Sequence, residues 1–111
     1  MNIKVTTANA DGCGSNSDIR IELTQGYQSC RTGSQGISYR GASLEWGGNG
    51  MGACQSKKFT INKPINFKFV MNSGEEVWCP LRFTAHFERG VVYNKNVGGF
   101  VGSKFTGKLT I

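Results

Sequence analysis

The sequence predicts an all-β fold, an antiparallel two-sheet β-sandwich stabilised by disulfides, and three observations predict it. Apolar side chains recur with period two over most of the chain. Breaks rich in glycine and asparagine separate the apolar runs. Four cysteines, an even number, lack the close spacing of a metal site.

Taken in order, Ile3, Val5 and Thr7 alternate with Asn2, Lys4 and Thr6, and Ile19, Ile21 and Leu23 alternate with Asp18, Arg20 and Glu22. Phe59 and Ile61 stand beside Lys58 and Thr60, then Ile65, Phe67, Phe69 and Met71 beside Asn66 and Lys68. Leu81, Phe83, Ala85 and Phe87 face one way, and Arg82, Thr84, His86 and Glu88 the other; Phe105, Leu109 and Ile111 close the chain. Each pattern is that of a half-buried strand. Shorter strands are predicted over residues 28–32, 37–40 and 91–93. Turn chemistry marks Gly12 to Gly14, Gly33 to Gly36, Asn62-Lys63-Pro64, Asn72-Ser73-Gly74 and Asn94 to Gly99. Sixteen glycines favour turns over helices, and no stretch of ten residues carries a helical period. The 111 residues are expected to form one domain, 1–111, without linker or repeat.

Cys13, Cys30, Cys54 and Cys79 are expected to form two disulfides, with all three pairings open. Bridged cysteines imply an oxidising compartment and a secreted protein; free thiols in a cytosolic protein are the alternative. No apolar run near Met1 resembles a signal peptide, so the chain reads as a mature form with an added initiator methionine. No segment is long enough to span a bilayer as a helix, and a monomer is expected.

Thirteen Lys and Arg against seven Asp and Glu give a net charge of +6. Lys4, Arg20, Lys58, Lys68, Arg82 and Lys108 occupy outward strand positions. A cationic face of this kind attracts anionic lipid, acidic glycan or nucleic acid, more weakly as salt rises. Lys57-Lys58 is the only adjacent basic pair, so nucleic acid is the least favoured of these partners. Aromatic residues beside glycines or turns supply candidate loop tips: Tyr27, Trp46 and Phe100. Residues 45–52 read as a flexible loop from which Trp46 inserts into a membrane interface or stacks on a sugar; the alternative is that Trp46 folds back and plugs the sandwich. Trp78, beside Cys79, reads as core.

Catalytic signals are sparse. His86 and Glu88, two residues apart on one strand face with Arg82 and followed by Arg89, form the one acid–base constellation, of the kind a small secreted ribonuclease uses. In the stretch from Gly98 to Lys104 a serine separates glycine from lysine and breaks the phosphate-loop motif.

The run from Val5 to Ile21, with Gly12, Gly14, Asp18, Ile19 and Ile21 in place, resembles the opening of PLAT domains, also called lipoxygenase-homology domains. Trp78-Cys79-Pro80-Leu81-Arg82-Phe83 is similar to the tryptophan-led strand of that family. Ser15 and Asn16 depart from the usual threonine and aspartate, and the cysteines are additions. The resemblance covers about a quarter of the chain. It implies an eight-stranded β-sandwich that docks onto membranes or partner proteins. In some members the glycine-rich turn binds calcium, which here implicates Gly12, Gly14, Asn16 and Asp18, with Asp11 as a further ligand. On the residues alone this loop offers two carboxylates, few for a calcium ion, and Asn16 and Asp18 suit a capped turn.

Together these readings make the protein a secreted binding module without catalytic activity and without a cofactor, calcium being the alternative. It attaches to a lipid surface or a partner protein through Tyr27, Trp46, Lys57, Lys58, Arg82 and Phe100. The alternatives are a lectin-like or defence protein that binds glycans, and a ribonuclease or toxin using His86 and Glu88.

Overall fold

The computed structural model describes residues 1–7, 9, 18–36, 40–71, 78–86, 92–96 and 106–110, the side chains of 80, 81 and 92–96 excepted. Within them the chain is a two-sheet antiparallel β-sandwich. The strands are β1 (Asn2–Thr7), β2 (Asp18–Gln25), β3 (Gln28–Arg31), β4 (Gln35–Gly36), β5 (Ser43–Trp46), β6 (Pro64–Met71), β7 (Pro80–His86), β8 (Val92–Asn96) and β9 (Thr106–Thr110). One sheet runs β5-β1-β7-β8; the other runs β3-β2-β6-β9, with β4 also on β2. A 3₁₀ segment, Gly48–Ser56, broken at Gly52, joins β5 towards β6.

Period two becomes burial directly. Ile3 and Val5 of β1, Ile19, Ile21 and Leu23 of β2, and Ile65, Phe67, Phe69 and Met71 of β6 all enter one core with Phe83 and Ala85 of β7. Aromatic rings join the two sheets. Phe67 of β6 stacks on Phe83 of β7 with centroids 4.8 Å apart, and Phe69 meets Phe83 edge-on at 5.7 Å. Phe69 also contacts Trp78 at 5.4 Å and Trp46 at 6.3 Å. Each such pair contributes about 0.5–1.5 kcal/mol beyond its burial. Gly107 of β9 lies opposite Phe67. A Cβ there would sit 2.6 Å from the Phe67 ring, so the bare backbone makes room for the aromatic layer.

One bridge joins Cys30 of β3 to Cys54 of the 3₁₀ segment, across 24 residues, and Cys79 is also disulfide-bonded. Both prolines open strands, where a missing N–H is tolerated. The edge of the second sheet is interrupted after β3. There the Ile21 amide donates to the Thr32 hydroxyl at 2.9 Å while Thr32 donates its own amide to the Ile21 carbonyl. The hydroxyl takes an acceptor's place in the ladder where the pairing along β2 shifts by one residue between β3 and β4.

Four expectations need correction. Residues 45–52 are not a flexible loop: β5 runs through Trp46, and Met51 is buried within the 3₁₀ segment. Trp46 is 1 % exposed and donates its indole N–H to the Gly33 carbonyl at 2.8 Å. A buried ring with its one polar atom satisfied is more stable than an exposed one, which is why it plugs the sandwich. Phe59 and Ile61 form no strand: residues 57–60 are irregular and Ile61-Asn62 is a turn. The backbone there bonds to side chains of the β2–β3 hairpin instead of to a ladder. Residues 94–96 are strand and not turn, because the ladder between β7 and β8 extends from His86↔Val92 to Arg82↔Asn96 and outweighs asparagine's turn preference. Of the strand expected at 37–40, Arg40 is a turn residue and 37–39 lie outside the described residues; the edge strand is instead Gln35–Gly36.

Candidate functional site

Strands β2 and β3 are joined by a two-residue hairpin turn, since Gln25 is the register partner of Gln28. Gly26 has a φ of +58°, whereas Tyr27 is not among the residues with positive φ. Glycine first and an ordinary residue second is the demand of a type II′ hairpin turn. This geometry projects the Tyr27 ring off the end of the sheet, where it is fully exposed.

The connection from the 3₁₀ segment to β6, residues 57–63, lies against this hairpin and is held by two glutamines. Gln25, buried in the last position of β2, donates through Nε2 to the Thr60 carbonyl at 2.9 Å and the Lys63 carbonyl at 3.1 Å. Its Oε1 accepts from the Thr60 amide at 2.7 Å. Gln28 donates through Nε2 to the Lys58 carbonyl at 3.0 Å. Phe59 turns inward against the core, so the residues on either side of it turn out. Ile61 is 41 % exposed, and Asn62 takes a left-handed φ of 65° that asparagine tolerates before Pro64 starts β6.

Tyr27 and Ile61 are the two exposed large hydrophobic residues among the described residues, and the glutamine clamp puts them at one end of the sandwich. Lys57, Lys58 and Lys63 belong to the same segment, which carries no acidic residue. None of the three enters an ion pair among the described residues; the pairs seen, Lys4–Glu45 at 3.8 Å and Arg31–Glu22 at 3.2 Å, are on the sheet faces. The result is an amphipathic tip: an aromatic ring, a branched aliphatic chain and three ammonium groups on a hydrogen-bonded frame.

The other candidate residues are distributed differently. Arg82 is exposed on β7, in the other sheet, opposite Thr6 and Asn96. Trp46 is core and has no surface to offer. Phe100, Gly12, Gly14, Asn16 and Cys13 lie outside the described residues, as does Glu88. Asp18 is exposed at the start of β2, opposite Gly36. No group of three or more His, Cys, Asp or Glu side chains is placed to hold a metal ion among the described residues. His86 is exposed at the end of β7 with Asn2 and Val92 as register partners, so neither partner supplies a carboxylate.

Ile61 and Lys63 are members of the tip that the sequence pattern missed. The signal for both was the Asn62-Lys63-Pro64 turn, which forbids a strand running through Ile61 into β6. No helix among the described residues is long and apolar enough to cross a membrane. The sequence matches no family model, and no curated protein matches it at a significant level.

Proposed function

We propose that this protein is a secreted, non-catalytic binding module of the PLAT kind that docks end-on to an anionic lipid surface. The observation that carries this reading is the clamped tip, where Tyr27 and Ile61 share one end of the sandwich with Lys57, Lys58 and Lys63. The lysines steer the approach, each contributing about 1 kcal/mol near an anionic membrane. Tyrosine suits the headgroup boundary because its ring is apolar and its hydroxyl is wet, and Ile61 adds apolar area removed from water. The clamp matters energetically: a loop already ordered by four hydrogen bonds loses little entropy on docking. Secretion is supported by the absence of free cysteines among the described residues.

Co-sedimentation with phosphatidylserine-containing and pure phosphatidylcholine vesicles, at low and high salt, tests the proposal. Binding is expected to the anionic vesicles at low salt, to fall as salt rises, and to drop about tenfold in a Tyr27→Ala, Ile61→Ala double variant. Equal binding to both vesicle types, or none to either, removes it.

A further inference from the structure

The outward face of the second sheet carries a shallow depression of about 320 Å³, whose lining includes none of the tip residues. It lies over β2, β6 and β9, in two adjacent rows of register partners. One row is Glu22, Lys68 and Thr106; the next is Thr24, Asn66 and Lys108. Thr24, Asn66 and Thr106 line it with short side chains and Glu22, Lys68 and Lys108 with long ones, and the Phe67–Gly107 pair lies between the two rows.

Two features give this depression a definite chemistry. Lys68 and Lys108 are diagonal neighbours, one on β6 and one on β9, at a backbone spacing of roughly 7–8 Å that two four-carbon stems close easily. The other diagonal is Asn66 and Thr106, an amide and a hydroxyl. Glu22 stands directly opposite Lys68 and would be expected to neutralise it. Its carboxylate is instead paired with Arg31 of β3 at 3.2 Å, and neither lysine makes an ion pair among the described residues. The local balance on the β6–β9 side is therefore two positive charges flanked by neutral hydrogen-bonding groups.

We infer that this depression is a binding site for a saccharide bearing a sulfate or phosphate ester. The two ammonium groups bracket the oxyanion, whose charge persists at every physiological pH, and Thr24, Thr106 and Asn66 take sugar hydroxyls as hydrogen-bond partners. The volume is at the lower end of the range for ligand sites, roughly 300–1,000 Å³, and fits one sugar unit. A depression on the side of a sheet accepts a polysaccharide chain laid across the strands, whereas the tip at the strand ends meets a planar surface. The two sites are thus separable by mutation.

Titration with a heparin-derived hexasaccharide and its desulfated counterpart, followed by calorimetry and by backbone amide shifts, tests the inference. The sulfated sugar is expected to bind at least tenfold tighter than the desulfated one, with the largest shifts at Thr24, Asn66 and Thr106. A Lys68→Gln, Lys108→Gln variant is expected to lose tenfold or more of that affinity, and Lys57→Gln, Lys58→Gln to stay within twofold of the parent. Thermal melts of both variants check the fold, which exposed residues should leave intact. Equal losses in the two variants would mean diffuse charge attraction and overturn the site. So would affinity that ignores sulfation, or a Lys68/Lys108 variant impaired only towards anionic vesicles, which would assign the depression to lipid. Vesicle binding that fails while sugar binding holds would overturn the membrane reading alone.

Discussion

The side chain of Gln25 pairs with the backbone of Thr60 as a neighbouring strand would, donating to its carbonyl at 2.9 Å and accepting from its amide at 2.7 Å. One primary amide thereby replaces a ladder rung, and it does so from a buried position. This relationship explains why residues 57–63 are ordered without being a strand, and why Ile61 is exposed at the end of the sandwich that carries Tyr27.

Replacing Gln25 by Ala should therefore have two effects. Thr60 loses both partners and Lys63 loses one, which lowers stability by about 1–3 kcal/mol in urea titrations. Affinity for anionic vesicles should fall as well, although no residue that meets lipid has changed. Gln25→Glu should be at least as harmful, since a carboxylate would face the Thr60 and Lys63 carbonyls. Unchanged vesicle binding in a folded Gln25→Ala protein would show that the clamp does not hold the tip.

Trp46 and Phe69 should behave as core and not as anchors. Phe69 touches Trp46, Phe67, Phe83 and Trp78, so Phe69→Ala should cost about 3–5 kcal/mol. Trp46→Phe keeps most of the ring and removes one of two donors to the Gly33 carbonyl, the Thr32 hydroxyl remaining at 2.9 Å, for about 0.5–1.5 kcal/mol. Chemical denaturation measures both. Vesicle affinity of the folded Trp46→Phe protein should match the parent.

The bridge between Cys30 and Cys54 closes a 24-residue separation. In the chain-entropy view, a Cys30→Ser, Cys54→Ser double variant should lose about 3–4 kcal/mol relative to the oxidised parent, read from urea midpoints. Paired substitution is the cleaner test, because a reductant would also open the bridge at Cys79.

Alanine at two glycines should destabilise for different reasons. At Gly107 the new Cβ would sit 2.6 Å from Phe67, forcing the aromatic layer apart at a cost of about 1–3 kcal/mol. At Gly26 nothing lies within 4 Å, so the penalty is the left-handed backbone alone, about 1 kcal/mol. Phe67→Leu should partly rescue the first variant and leave the second unchanged, as thermal melts would show.

Much of this architecture was readable from the chain. Strands β1, β2, β6 and β7 follow from alternation, because any residue sequence with period two exposes one face and buries the other. Tyr27 beside Gly26 was legible as an aromatic loop tip, and the two-residue hairpin that carries it came from the register of β2 and β3. Three placements were not legible. Trp46 next to a run of glycines reads both as a loop tip and as a plug of the sandwich, and the Gly33 carbonyl arriving from a distant edge decides for the plug. Phe59 and Ile61 alternate like strand residues, yet the backbone between them is bound by Gln25, 35 positions away in sequence. The depression over β6 and β9 depends on register, which places Lys68 and Lys108 on one diagonal and leaves Glu22 to Arg31.

The sequence by itself determined that the chain forms two-faced strands, because alternation is a local property that each segment carries alone. It also determined the excess of positive charge and the presence of bridging cysteines. Tertiary structure alone decided that Cys30 joins Cys54, that Trp46 is buried as Trp78 is, and which lysines stand together. Those are distances between residues remote along the chain, and they are set only when the two sheets close on a shared core.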